Sequence, residues 1–268
     1  MKRLLLVVGV ALALVAVIAL VYLLRLTAPV EVSNTPPLAA TLVVPTRTVV
    51  AGETEPAPTR NAAQAAATPT GTTVQAVATS PTSPTPPAAA RVYRIDPDLS
   101  QASYRVGETF FDQRGFVIAV GTTNAVAGDI LVDPANLPAS QVGEIVVDIS
   151  QLRTDEPMRD SAIRRRWLES ATYPLARFNN AKIIDIPATA TEGQPFKFQI
   201  SGDMTVREVT KPVTWEAETT LDGYTLRGTA TTKLKMSDFG IEPPSLMSLQ
   251  VEDDVELTLE FVANAVQE

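Results

Sequence analysis

Eleven of the chain's 21 prolines fall between Thr27 and Ala90, spaced mostly by Thr, Ala and Val. Proline blocks both helix and sheet ladders, and so few large apolar side chains cannot offset the entropy of ordering. The run therefore divides the 268 residues into three physically different pieces. Residues 27–90 read as a disordered Pro/Thr/Ala-rich stalk. A coil of that length spans roughly 45 Å on average. Any fold with a core must lie in residues 91–268, which are enough for one substantial domain.

Before the stalk, Leu4 to Leu24 is 21 residues without a charge. As a helix it would measure about 31 Å, the thickness of a bilayer core. Lys2 and Arg3 precede it and Arg25 alone follows closely, a bias that places the N-terminus in the cytoplasm and the remainder outside. Residues 1–26 are thus expected to be a transmembrane signal-anchor. The competing reading is a cleaved signal peptide. It is disfavoured by the length of the apolar run and by Pro29 directly after Ala28. The expected location is a single-pass attachment to the cell membrane, with the head extracytoplasmic.

Only five of the 22 basic residues and three of the 30 acidic ones precede residue 91, so the head carries a net charge of −10. Such a surface repels nucleic acid. The chain has no cysteine and no histidine. Disulfides, thiolate chemistry, Ser-His-Asp catalysis and most zinc sites are excluded together. Glu252, Asp253 and Asp254 fit no calcium-loop spacing and read as the solvated start of a strand. No metal or cofactor is called for.

Alternation with a period of two runs through the head. Ala102, Tyr104 and Val106 share a face, as do Val213, Trp215, Ala217 and Thr219, then Phe196, Phe198 and Ile200, then Val255, Leu257, Leu259 and Phe261. Further strands are expected over 125–133, 144–149, 176–186 and 224–236. Asp222-Gly223 is a hairpin signal between two of these runs. Residues 157–170 instead carry helix formers behind Pro157, with Arg164, Arg165 and Arg166 late, where positive charge suits the helix dipole. Many antiparallel strands with one short helix describe an all-β barrel or sandwich. Along the run from Tyr224, one face presents Leu226, Gly228, Ala230, Thr232, Leu234 and Met236. Its middle is small and its ends bulky, which can leave a lumen as in lipocalin-type barrels. The alternatives are that aromatic residues from facing strands fill the space, or that the small residues mark a bend.

The head carries a set of motifs in order: Tyr93-Arg94-Ile95-Asp96-Pro97 running on to Ser100; Thr154-Asp155 with Arg159-Asp160 and Tyr173-Pro174 to Phe178; and Ser201-Gly202-Asp203-Met204-Thr205-Val206 with Val209-Thr210-Lys211-Pro212-Val213. Ser237-Asp238-Phe239-Gly240-Ile241 and the closing strand Val255 to Phe261 complete the set. Together they resemble the motifs of the YceI-like family, a lipocalin-like group often described as lipid- or polyisoprenoid-binding. The resemblance implies an extended antiparallel barrel of about eight strands, closed by a helix and enclosing an elongated apolar channel. Two departures stand out. Leu99 and Glu108 lie where many members carry histidine, and Glu208 stands where a glycine is common in the hairpin.

For a long isoprenoid or acyl chain, the residues expected to line or gate the channel are Tyr104, Phe110, Phe111, Phe116, Trp167, Phe198, Trp215, Leu226, Met236 and Phe239. Phe110 and Phe111 are adjacent, so at most one faces inward on a regular strand, and 110–116 reads as the mouth. Arg153, Arg159 and Arg164 to Arg166 could hold an anionic headgroup. The plainer reading is pairing on the helix surface, for example Asp160 with Arg164, while Arg159-Asp160 ties helix to barrel. The expected activity is non-catalytic binding of a hydrophobic or amphiphilic ligand, with a homodimer allowed. A filled barrel serving as a protein-interaction module is the alternative. A carboxylate-based enzyme is the third, and no pair of acids announces it.

Overall fold

The computed structural model describes residues 37–42, 90–112 and 114–266. The expected signal-anchor and most of the expected stalk lie outside the described residues. Eleven strands form one antiparallel sheet: β1 Arg91–Ile95, β2 Gln101–Phe110, β3 Gly115–Thr123, β4 Val126–Val132, β5 Gln141–Asp148 and β6 Leu175–Ile184. They continue as β7 Pro195–Val206, β8 Val209–Asp222, β9 Thr225–Lys235, β10 Ser245–Leu246 and β11 Leu249–Ala265. Neighbours run β1-β4-β5-β6-β7-β8-β9-β11, and β11 pairs back onto β1, which closes an eight-stranded barrel. The head is all-β with one short helix, α1, Pro157–Ala162.

The long strand β11 is shared between two partners on one side, and this extends the barrel. It pairs with β1 over Ala263–Ala265 and with β2 over Leu249–Glu260. Between β1 and β2, Asp96 caps a single turn over Pro97–Leu99, its carboxylate accepting from the Asp98 amide. The ladder stays satisfied across this gap. The Asp96 amide donates to the Val262 carbonyl at 2.9 Å, and the Val262 amide donates to Ser100 Oγ at 3.0 Å. Proline supplies the turn, and the serine hydroxyl replaces a lost backbone partner.

The hairpin signals act as the sequence indicates. Gly223 takes a φ of 56° between β8 and β9. Between β7 and β8 the left-handed residue is Arg207, with a φ of 57°, and not Glu208. Its guanidinium bonds Glu169 at 2.5 Å and the Trp167 carbonyl at 3.3 Å, so contacts beyond the turn hold a conformation that ordinarily favours glycine.

The helical segment is shorter and less regular than the sequence suggests. α1 ends at Ala162 and passes into a π turn over Ile163–Trp167. Asp160 does not pair with Arg164. Its carboxylate accepts from the Thr154 amide (2.8 Å) and hydroxyl (2.7 Å), while Arg164 donates to the Leu152 carbonyl. The segment before the helix thus competes for the carboxylate and wins. Of the acids at the start of β11, Asp253 accepts from the amide and hydroxyl of Ser237, and Asp254 pairs with Lys235.

Candidate ligand cavity

Inward alternation carries one side chain in two from every barrel strand toward a common interior. Ala217 of β8 lies opposite Ala230 of β9, and both face inward, so the barrel has a waist where two strands contribute only methyl groups. A cavity of about 650 Å³ occupies the interior, within the range of small-molecule sites. Ile200, Trp215, Leu234, Leu257 and Leu259 sit mid-strand on its wall and are only half-buried, because the space they face holds no protein atoms. The barrel is not filled.

The wall is almost wholly aliphatic and aromatic. Phe178 and Trp215 meet edge-to-face at 6.1 Å, and Phe196 stacks near Phe198 at 5.7 Å. Four lining residues are exposed to solvent, Arg114, Glu156, Met158 and Leu246, and they gather at one end. There the β2–β3 turn, the start of α1 and the β10–β11 turn converge. The Phe111 amide donates to the Ser248 carbonyl at 3.1 Å, and Leu249 lies in register with Phe110. This end is the mouth.

Eight of the ten residues selected from the sequence line the cavity: Tyr104, Phe110, Trp167, Phe198, Trp215, Leu226, Met236 and Phe239. Phe111 and Phe116 do not. Phe111 falls in the turn after β2 and is 63% exposed, and Phe116 stands on the outward face of β3, in register with Thr109, at 56%. Alternation decides both positions. Phe110 continues the inward series, so its neighbour cannot, and the two-residue phase on β3 carries Phe116, Ile118 and Val120 outward together.

A buried ion pair beside the mouth was not selected from the sequence. Glu108 lines the cavity at 4% exposure and receives both Nε and Nη2 of Arg159, at 3.0 and 2.9 Å. Arg159 also bonds Asp155 at 2.6 Å. Burial opposes the charge on Arg159, but the hydrogen bonds to Glu108 and Asp155 outweigh it and hold the guanidinium above its ordinary value. The signal was available, since Ala102, Tyr104 and Val106 continue in phase to Glu108 and Phe110. A carboxylate on an inward face requires a cation.

Three of the lining residues carry a polar atom buried without a protein partner: Tyr104 Oη, Trp215 Nε1 and Thr219 Oγ1. Burial pushes the Tyr104 hydroxyl well above its ordinary value, so it remains a neutral donor. Its ring lies against Gly121 of the neighbouring strand, where a Cβ would collide with the ring carbon Cε1. The glycine makes that placement available.

A closed antiparallel barrel with an apolar lumen open at one end defines a lipocalin-like binding scaffold. The chain belongs to the YceI-like family, whose YceI-like domain model matches residues 93–263. It is similar to a UPF0312 protein of Vibrio parahaemolyticus, 32% identical over 155 residues, covering 55% of this chain and 76% of that one. A UPF0312 protein of Vibrio cholerae is 30% identical over the same shares. Among solved structures, Burkholderia cenocepacia BcnA shares the fold, with a TM-score of 0.50 and 19% identity over 63% of this chain and 99% of that one.

Proposed function

We propose that this protein binds a long-chain amphiphilic lipid, isoprenoid or acyl, in the barrel lumen without transforming it. The observation that carries this is a cavity of about 650 Å³ in the barrel interior with an almost wholly apolar wall. Each buried methylene contributes about 0.8 kcal/mol, so the chain supplies affinity. The resemblance to lipid- and polyisoprenoid-binding members points the same way.

The buried carboxylates are committed to structural partners. Glu108 holds Arg159, Asp129 holds Arg94, Asp148 holds Ser150 and Gln151, and Asp160 holds Thr154. This favours a binding protein over a carboxylate enzyme. The apolar segment 4–24 supports a head tethered outside the cytoplasm, near a membrane that could supply the ligand. A second reading applies to the outer surface. β3 is an edge strand bonded on its far side, among the described residues, only through Thr122 and Arg153, and it presents Phe116, Ile118 and Val120 outward. That strip suits a protein partner or a second copy.

Both tryptophans of the chain, Trp167 and Trp215, line the lumen, so their fluorescence tests the proposal directly. An isoprenoid quinone or a brominated fatty acid should quench them saturably. Ala230→Phe, which fills the waist, should abolish the quenching while leaving the fold intact. Absence of saturable quenching in the unsubstituted protein would refute the proposal.

A further inference from the structure

Six residues inside the segment that reads as stalk, 37–42, are described, and their last, Leu42, lies against the head. The Leu42 amide donates to Asp129 Oδ2 at 3.1 Å across 87 residues of sequence. The Leu42 side chain lies over Gly143, where a Cβ would come within 3.1 Å of Leu42 Cγ. Pro37 is buried. The receiving carboxylate is prepared for this contact. Asp129 is 3% exposed, is held by Nε and Nη2 of Arg94, and sits where the β4–β5 register shifts between Gly128 and Ile130.

The outer face of these strands is unlike that of β8. Val92, Leu131 and Val146 point away from the lumen, since the inward neighbours of Leu131 and Val146 on both sides line it. They are nevertheless only 7, 3 and 0% exposed. On β8 the corresponding outward positions are Thr214, Glu216 and Glu218. An apolar outer face with a buried hydrogen-bond acceptor at its edge fits an extended apolar peptide that brings its own N–H.

We infer that residues 37–42 form an intramolecular clip, docked on the outer face of β1, β4 and β5 through the Leu42 amide and side chain. The covalent connection through residues 43–90 keeps the segment at high effective concentration, so a small contact suffices. The clip also sets how the head is held. Without it, residues 25–90 separate the apolar segment from the barrel. With it, only residues 25–36 do, which span at most about 42 Å fully extended. This consequence rests on the proposed membrane anchor, whereas the docking does not.

The test uses the full chain, whose lack of cysteine permits selective labelling. Spin labels at Ala40→Cys and Gln141→Cys, both exposed, report the distance between segment and β5. The expected result is one narrow, short distance that broadens when Leu42→Pro removes the donor. A broad distribution around roughly 40 Å, that of a free coil of this length, would overturn the clip. So would a short distance that disappears on dilution with unlabelled chain, since the contact would then join two copies. Tryptophan quenching on the same samples reads ligand binding separately. Mass spectrometry of the cell-derived chain shows whether residues 1–26 are retained. Their loss would remove the tether consequence and leave the docking to be judged by the distances alone.

Discussion

Glu108 and Arg159 illustrate how a single buried pair can position a cavity mouth. The carboxylate belongs to β2 and the guanidinium to α1, so their two hydrogen bonds fasten the helix across the barrel end. Removing one partner of a buried pair strands the other. Glu108→Ala should cost about 3 kcal/mol in urea unfolding, while Glu108→Leu with Arg159→Met should recover most of the loss. Tyr104 makes an opposite prediction. Its hydroxyl is buried without a protein partner, so Tyr104→Phe should leave stability unchanged or raise it by up to about 1 kcal/mol in urea unfolding. Burial also sets its pH response. The folded-state hydroxyl titrates above its ordinary value of 10.0, so its contribution to stability is intact below pH 10. It is lost as pH rises further, because the unfolded tyrosine ionises first. Tyr104→Phe should flatten part of that alkaline loss in thermal unfolding curves. The sequence disclosed Tyr104 through its phase on the strand. It did not disclose that Glu108 would be paired from 51 residues away, because alternation reports facing and not partner.

Strands were the most legible elements, since a half-buried strand must alternate and few other structures do. The face from Leu226 to Met236 and the Asp222-Gly223 turn follow directly from residue type. The irregular connections were less legible. The bend over Asp96–Ser100 depends on a hydroxyl replacing a backbone partner. The π turn over Ile163–Trp167 and the left-handed Arg207 are set by tertiary contacts, and neither has a local signature. Which of Phe110 and Phe111 faces the lumen is not legible, because two adjacent aromatics cannot be phased without knowing where β2 ends. The glycine on β3 permits a specific check. Gly121→Ala should displace the Tyr104 ring and destabilise the head by about 1–3 kcal/mol in chemical unfolding, with Tyr104→Phe giving little relief because the clash is with ring carbons. At the mouth, Phe111 is 63% exposed and Met247 fully so. Phe111→Asp with Met247→Asp should slow lipid uptake from vesicles several-fold in a stopped-flow quenching assay and leave the unfolding midpoint within experimental scatter.

At the scale of the molecule, the central question is whether the barrel interior is filled by side chains or left open. Ala217 opposite Ala230, with Trp215 and Leu234 toward one end and Leu221 and Leu226 toward the other, leaves a waist that no facing aromatic closes. Small inward residues in the sequence allowed both outcomes, because one strand cannot report what the opposite wall contributes. Only the closed ring β1-β4-β5-β6-β7-β8-β9-β11 decides between them. The absence of histidine and cysteine removes imidazole and thiolate chemistry, and the proposed binding needs only burial and hydrogen bonding. The most direct measurement is native mass spectrometry of the full chain purified from a membrane-containing host, followed by extraction and identification of whatever is released. The account predicts a discrete added mass that resolves to a prenyl or acyl compound. Bare protein that also fails to take up offered prenyl and fatty-acid lipids would contradict it.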